Sequence, residues 1–352
     1  MKSLLGFRRK GGFLGIDLGS YAIKVAEAIP GKNGPVLKSF GQIRLPRGSV
    51  LSGVFKDPDI IIERLAQLID NLNVKSKRAI ISLSSYAAII KRIELRLPEG
   101  KDLDSAVYEE AEAHIPFNLD DVYLDYQIFS EEENKFDILL VAARKEVIEE
   151  LANLVEKAGL LPTIVDVDIL AVGNIFEYVY QIRKPSLLVD FGASKASVIL
   201  WGDGGPLSNR DISFGAQEIT EELQRELTLS FEEAENIKIQ GPSGNEQGAI
   251  IKKCFLETYN RFIKDLKNTI DFFKSRYPSL EIQEIYLCGG GSKLPQLKEF
   301  LEKETGLKIN FFQVFPQIEH EERFDREYLD TINKEGIVAL SLSIRELITW
   351  SE

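Results

Sequence analysis

The chain has 352 residues, enough for about two domains, and its 44% hydrophobic and 28% charged residues are typical of an ordered globular protein. Its 55 acidic residues outnumber 43 lysines and arginines, and the resulting net charge of −12 argues against a protein that binds nucleic acid. Two cysteines rule out a disulfide framework, and no uncharged run is long enough to span a membrane. We therefore expect a soluble cytoplasmic protein without a membrane span.

The first half of the sequence alternates predicted strands and helices. Residues 12–29 are predicted to form a strand, a tight turn and a second strand, because the side chains after the turn alternate with period two. Residues 58–73 have the apolar spacing of a helix, and residues 78–84 have the composition of a buried strand. From about 88 to 160 the pattern predicts a strand, a helix, two strands and a helix that ends at Gly159.

The block from about 88 to 160 contains most of the net negative charge of the chain. Between Glu99 and Asp137, thirteen acidic residues accompany only Lys101 and Lys135, a net of −11. This concentration of charge has two interpretations, a separate inserted module or a solvated acidic face. The order of the predicted elements favours an inserted module.

The second half of the sequence repeats the first hairpin. Residues 186–204 again read strand, turn and strand, and LLVDFGA matches LGIDLGS near the start. The aspartates of the two copies, Asp17 and Asp190, lie 173 residues apart, close to half of the chain. A repeat of this length predicts two duplicated domains that face each other. The remaining predicted elements are helices over 218–239 and 252–278, a strand over 284–291, a helix over 294–304 and a final helix over 336–349.

Both hairpins have the features of a phosphate-binding turn. Gly19 and Gly192 let a phosphate approach the backbone N–H groups without a Cβ in the way. Asp17 and Asp190, each at the end of an apolar strand, supply the hard oxygen ligands that Mg²⁺ prefers, through water. A single Asp-x-Gly is also a common turn, but two copies with matching flanks favour a phosphate site.

The third motif with a chemical interpretation is the run IYLCGGGSKLPQL. Its three glycines, Gly289, Gly290 and Gly291, follow a predicted strand and precede a helix, an arrangement in which backbone amides can hold an anion. The run lacks the Gly-Lys-Ser/Thr of a P-loop and the spacing of a dinucleotide fingerprint.

With these three motifs, the chain resembles the superfamily of actin, sugar kinases and heat-shock chaperones. Within it, the chain is similar to the PilM family, the actin-like cytoplasmic assembly proteins of type IV pili. The resemblance extends over about residues 5–348 and rests on LGIDLGSYAIKVAE, EEAEAHIPFNLDDVYLDYQIF, VAARKEVIEELANLVEKAGLLPTIVDVDILAVGN, FGAQEITEEL and YLCGGGSKLPQLKEFLEKETG.

The resemblance implies an α/β chain with a bilobal actin-like fold, built from two duplicated ribonuclease-H-like domains with an inserted FtsA-type subdomain. It places the first domain at 1–182, with the insertion at about 88–160. The second domain would cover 183–335, with an outer subdomain at about 213–262, and a C-terminal helix at 336–352 would return to the first domain.

The resemblance also implies ATP and Mg²⁺ as cofactors, with the metal held through water by Asp17 and Asp190. Glu235 and Lys238 match the pair that brackets adenine in the chaperones, although an i,i+3 surface ion pair would look the same. Asp168 is the candidate for orienting the attacking water; the alternative is that Asp166 or Asp168 serves only as a cap of the connector. The implied nucleotide contacts are Asp17, Gly19, Ser20, Tyr21, Lys24, Asp190, Gly192, Ala193, Ser194, Gly215, Glu235, Lys238, Gly289, Gly290, Gly291 and Lys293.

The function implied by the resemblance is that of an ATP-binding assembly protein, at most a weak ATPase, because Asp168 is one methylene shorter than the chaperone glutamate. Its partner would be a PilN-like inner-membrane protein, whose N-terminal cytoplasmic segment would lie between the first phosphate-loop subdomain and the insertion. Further pilus platform proteins are possible partners. The alternatives are an FtsA-like or GspL-like scaffold, disfavoured by the end of the chain at Glu352, and a small-molecule kinase, for which no substrate-base motif is present.

Overall fold

The computed structural model describes residues 12–51, 53–242 and 246–348. The strands are β1 (Phe13–Leu18), β2 (Ala22–Pro30), β3 (Pro35–Arg44), β4 (Val50–Leu51), β5 (Val54–Phe55), β6 (Arg78–Leu83), β7 (Ala88–Arg96), β8 (Val122–Glu132), β9 (Lys135–Arg144), β10 (Leu161–Val167), β11 (Ser186–Phe191), β12 (Ala196–Gly202), β13 (Gly205–Ile212), β14 (Glu284–Cys288), β15 (Lys308–Phe311) and β16 (Glu319–His320). The helices are α1 (Pro58–Leu72), α2 (Leu103–Glu112), α3 (Lys145–Lys157), α4 (Asp168–Tyr180), α5 (Gln217–Leu227), α6 (Phe231–Gln240), α7 (Glu246–Arg276), α8 (Leu297–Thr305), α9 (Arg326–Glu335) and α10 (Ile337–Ile344).

The two large sheets share the same arrangement of five strands, and the first sheet has β16 in addition. The first has the strand order β10-β6-β1-β2-β3-β16, and the second has the order β13-β12-β11-β14-β15. In both, the central strand is antiparallel to the next strand in sequence and parallel to a later one: β1 pairs with β2 and β6, and β11 pairs with β12 and β14. The duplication predicted from the repeated hairpins is confirmed at the level of topology.

Helices cover both faces of the first sheet, which explains why every residue of β1 is buried. Neighbouring residues of a strand point to opposite faces. A Cβ on Gly15 would meet the backbone of α10 at Ala339, whereas a Cβ on Gly41, one register position along, would meet Leu72 of α1. All eight residues of α10 are buried, as expected for a helix that is apolar all round.

The insertion forms its own three-stranded sheet, in the order β7-β9-β8, with a separate small core. Val107 and Ala111 of α2 pack there against Ile138 and Leu140 of β9. Helix α3 does not belong to this core, because two of its three buried residues, Leu151 and Val155, join the core of the first lobe. We therefore propose that the inserted unit ends near Arg144, short of the expected boundary at about 160; the other domain bounds stay predictions.

The bounds of several helices differ from the prediction. The segment 218–239 forms two helices, α5 and α6, and α7 already begins at Glu246. A 3₁₀ turn over Gly290–Lys293, which contains the last two of the three glycines, precedes α8, so α8 begins at Leu297 instead of Leu294. The last helix covers Ile337–Ile344, and residues 349–352 of the predicted C-terminal segment lie outside the described residues. No helix within the described ranges combines the length and the apolar character needed to cross a membrane.

Replacing Gly15 by alanine should strongly destabilise the protein. The new Cβ would lie 1.9 Å from the carbonyl oxygen of Ala339 and 2.5 Å from the backbone nitrogen of Ser343, so α10 would have to move off the sheet. Overpacking of a core costs about 1–3 kcal/mol, which chemical denaturation measures directly. Gly290→Ala is the matched control, because its Cβ meets no heavy atom within 4 Å. Equal stabilities for the two variants would contradict the packing of α10.

Candidate functional site

The turns that follow the central strands of the two sheets face each other across a cleft of about 480 Å³. Ser194 Oγ lies 2.9 Å from Ser20 Oγ, so the two turns are in direct contact at one point. The glycine run after β14 forms a third wall. Of the residues predicted from the sequence, the cleft brings together Asp17, Gly19, Ser20, Tyr21, Lys24, Asp168, Asp190, Gly192, Ala193, Ser194, Glu235, Lys238, Gly289, Gly290, Gly291 and Lys293.

Gly215 is the one predicted contact that does not line the cleft. It lies behind the second turn, where a Cβ would be 2.2 Å from the carbonyl oxygen of Ala193. The backbone N–H groups of Ala216 and Gln217 donate to the carbonyl oxygens of Gly192 and Ala193 at 3.0 and 2.9 Å. The glycine therefore lets α5 support the turn from behind and does not itself face a ligand in this structure.

The aspartates of the two predicted phosphate turns, Asp17 and Asp190, have different partners. Asp17 is paired across the hairpin with Lys24, whose ammonium lies 2.9 Å from Asp17 Oδ2. The equivalent register partner of Asp190 is Ser197, which carries no charge. Burial raises the pKa of Asp190 to about 6, with the charge of Lys24 opposing the shift and that of Asp17 adding to it. Burial disfavours the charged form of Lys24, yet Asp17 and Asp190 hold its pKa above the usual value.

The two aspartates fit a water-mediated Mg²⁺ site better than a closed metal cage. Within the described part of the chain, no group of three or more His, Cys, Asp or Glu side chains could hold a metal ion. Mg²⁺ keeps several waters and is commonly bound by one or two carboxylates together with phosphate oxygens. Asp17 and Asp190, which both line the cleft beside the phosphate turns, supply that number of carboxylates.

Asp168 has both carboxylate oxygens engaged. Oδ1 accepts hydrogen bonds from the backbone N–H groups of Ile169 and Ser85 at 2.7 and 3.0 Å, and Oδ2 lies 2.8 Å from the ammonium of Lys195. These contacts fix the carboxylate at the first residue of α4, next to the N-cap Val167. Its predicted role in orienting an attacking water stays a prediction.

The sequence analysis missed Lys195, a largely buried lysine that lines the cleft. Its ammonium lies 2.5 Å from Ser85 Oγ and 3.6 Å from Asp211 Oδ1, in addition to its contact with Asp168. Burial opposes its charge, but the two carboxylates raise its pKa above the usual value. Its position directly after DFGAS, inside the second predicted phosphate turn, was the available signal.

The outer end of the cleft is formed by α5 and α6 opposite the β1–β2 turn. Lys238 Nζ lies 2.5 Å from Glu235 Oε1 and 2.9 Å from Thr220 Oγ1. Glu235 is only 4% exposed, so the pair is not a surface ion pair. Tyr21 faces this pair from the first lobe; burial and then the charge of Glu235 raise the pKa of Tyr21 to about 12. The guanidinium of Arg44 lies over the Tyr21 ring, 5.3 Å from its centroid.

Comparison with known proteins agrees with this geometry. The sequence profile of the family described as "Type IV pilus assembly protein PilM" matches residues 15–347. The chain belongs to the PilM family. A solved structure titled "PilM-PilN type IV pilus biogenesis complex" superposes with a TM-score of 0.84 at 25% identity, covering 97% of this chain and 100% of that one. The resemblance inferred from the motifs and the actin-like fold class are thereby confirmed.

More distant relatives share parts of the chain or its fold. MreB 5 of Spiroplasma citri bound to AMPPNP has a TM-score of 0.50 at 11% identity, with 85% of this chain and 91% of that one covered, which shows a shared fold. The cell division protein FtsA of Bacillus subtilis (strain 168) is 29% identical over 101 residues, 29% of this chain. That match spans only 23% of the length of FtsA.

Replacing Asp190 by asparagine should stabilise the ligand-free protein at neutral pH. An ionised Asp190 is penalised by burial, and its raised pKa of about 6 means that the penalty appears as the pH rises above about 4 and is complete above about 6. A shift of this size corresponds to roughly 2–3 kcal/mol at pH 7. Urea unfolding of wild type and Asp190→Asn between pH 4 and 7.5 measures the difference. A difference that stays constant over this range would contradict the proposed environment of Asp190.

Proposed function

We propose that this PilM-family chain is an ATP-binding assembly protein of the type IV pilus platform, which engages the N-terminal cytoplasmic segment of a PilN-like inner-membrane protein. The observation that carries the nucleotide part is the meeting of two duplicated phosphate turns and a glycine run in one cleft. The family assignment and the similarity to a solved PilM–PilN complex support the partner. Through that partner the protein would be held peripherally at the cytoplasmic face of the inner membrane.

The size and charge of the cleft suit Mg-ATP. A cleft of about 480 Å³ falls within the range of 300–1,000 Å³ typical of small-molecule sites. Two ammonium groups, Lys24 and Lys195, pair with Asp17 and with Asp168 and Asp211. The other two lysines that line the cleft, Lys238 and Lys293, are paired with Glu235 and Glu335. With Asp190 included, the carboxylates around Lys24 and Lys195 therefore exceed these two ammonium groups by two. A nucleoside triphosphate would add further negative charge, so its binding calls for a divalent cation beside Asp17 and Asp190.

The ends of the cleft suggest the orientation of the nucleotide. The phosphates would lie between the β1–β2 and β11–β12 turns, whose N–H groups and glycines permit close approach. The base would lie at the outer end, between Tyr21 of the first lobe and the Glu235–Lys238 pair of the second. The glycines at 289–291 would support the ribose and the α-phosphate, as the resemblance implies.

We further propose that the nucleotide acts mainly as a conformational ligand. Asp168, the candidate for orienting water, is held by two backbone N–H groups and by the ammonium of Lys195. Hydrolysis through Asp168 would require these contacts to rearrange. Slow turnover at most is therefore the expected behaviour, with lobe closure as the main consequence of binding.

Asp17→Asn should weaken the thermal stabilisation by Mg-ATP. The change removes a carboxylate of the proposed metal site and leaves Lys24 without its partner at 2.9 Å. We expect a loss of affinity of at least tenfold, about 1.4 kcal/mol, measured by differential scanning fluorimetry over a range of Mg-ATP concentrations. Asp70→Asn, at an exposed position of α1, is the matched control and should respond like wild type. Undiminished stabilisation of Asp17→Asn would refute the site.

Binding of the partner can be tested with a synthetic peptide of the N-terminal cytoplasmic segment of the PilN-like protein from the same organism. Val54 is 49% exposed on the β4–β5 hairpin, and its neighbours Gly53 and Phe55 line a small pocket together with Val147 and Leu151 of α3. The proposed peptide groove lies between the first lobe and the insertion. Val54→Asp should weaken peptide binding at least tenfold in a fluorescence-anisotropy titration, because it puts a charge into this groove. Leu256→Asp, 48% exposed in the second lobe, is the control. Equal affinities for both variants would rule out this groove.

A further inference from the structure

Five polar side chains form a cluster where the first lobe, the insertion and the second lobe meet. We call it the Lys195 cluster; it consists of Ser85, Asp168, Lys195, Ser197 and Asp211. Ser85 ends the first lobe and lies in the 3₁₀ turn Ser85–Ala87 that leads into β7 of the insertion. Asp168 begins α4, which connects the lobes, and the other three residues belong to the second lobe.

Each member of the Lys195 cluster contacts at least two other members. Asp168 contacts one of them, Ser85, through the backbone N–H group of Ser85. Ser85 Oγ donates to Asp211 Oδ1 at 2.8 Å, and Ser197 Oγ donates to the same oxygen at 2.6 Å. The ammonium of Lys195 lies between Ser85 Oγ and the carboxylates of Asp168 and Asp211. Because all five side chains are largely buried, a change in the pairing of one of them would alter the hydrogen bonds and ion pairs of the others.

The insertion also rests on the second lobe near this cluster. Tyr86 OH lies 2.9 Å from Ser213 Oγ, directly after β13. Arg92 of β7 donates to the carbonyl oxygen of Pro206 at 3.1 Å and forms an ion pair with Asp137 of β9. The contacts therefore follow β13 from Pro206 to Ser213. The orientation of the insertion is thus tied to the same strand that carries Asp211.

We propose that Lys195 couples the phosphate end of the cleft to the orientation of the insertion. Lys195 lines the cleft together with both phosphate turns, so anionic phosphate in the cleft competes with Asp168 and Asp211 for its ammonium. When this pairing changes, the link from Lys195 through Ser85 to the start of β7 changes with it. The proposal rests on the proposed nucleotide site and adds a path from that site to the subdomain next to the peptide groove.

The test measures the distance between the insertion and the second lobe directly. Spin labels at Glu131→Cys in β8 and Lys303→Cys in α8 report this distance by pulsed electron paramagnetic resonance. Both positions are exposed, whereas the native Cys254 and Cys288 are buried and should remain unlabelled. In the wild-type background, Mg-AMPPNP should shift the mean distance. In Lys195→Met and Ser85→Ala, at least half of that shift should be lost.

Ser85→Ala separates coupling from binding, because Ser85 does not line the cleft. This variant should retain the thermal stabilisation by Mg-AMPPNP while it loses the distance shift. Lys267→Met removes a lysine paired with Glu304 at the surface of the second lobe, and it should behave like wild type. If Lys195→Met does not fold, as judged by circular dichroism, Ser85→Ala alone tests the proposed coupling.

The remaining outcomes distinguish the proposals. A full distance shift in Ser85→Ala would overturn the coupling and leave the nucleotide site standing. The coupling would also be overturned, with the nucleotide site left standing, if the wild-type protein bound Mg-AMPPNP, as judged by its thermal stabilisation, without any change of distance. A wild-type protein that shows neither stabilisation nor shift would overturn the nucleotide site and the coupling together.

Discussion

The interface between the lobes depends on two buried ammonium groups that must balance four carboxylates. Lys24 lies against Asp17, and Lys195 lies between Asp168 and Asp211. Asp190 remains without a cation of its own, and burial raises its pKa to about 6. A deficit of positive charge among largely buried side chains is costly in the absence of ligand. It also makes the cleft suitable for a phosphate ligand that arrives with its own divalent cation.

The motifs of this cleft could be predicted from the sequence because they are local. Each hairpin places its aspartate and its glycine within three residues, so the spacing alone specifies the turn. The strands beside the hairpins were harder to predict. Strand β13 reads GPLSNRDI, with glycine, proline and asparagine, which are rare in strands; it forms because it pairs with β12 at the edge of the sheet. Strand β3 was also missed, and it too is specified by its neighbours, through its pairing with β2.

Burial and long-range pairing account for the rest of what the sequence could not show. Glu235 and Lys238 have the spacing of a surface ion pair, and only the packing of α6 against α5 buries them. Helix α3 follows the strands of the insertion without a break, yet its apolar side packs into the first lobe. The periodicity of the sequence predicts which side of the helix is apolar, but not the subdomain against which that side packs. Ser85 and Asp211 are 126 residues apart and carried no motif. Such contacts depend on how the lobes meet.

The duplication is exact neither in sequence nor in charge, and the two hairpins therefore make different contacts. In the first hairpin the residue opposite the aspartate is Lys24, whereas in the second it is Ser197, whose hydroxyl binds Asp211. The second hairpin instead has a lysine in its turn, Lys195, which contacts the connector at Asp168 and Ser85 before the insertion. The lysine of the first hairpin is therefore paired within its own hairpin, and the lysine of the second pairs with other parts of the protein.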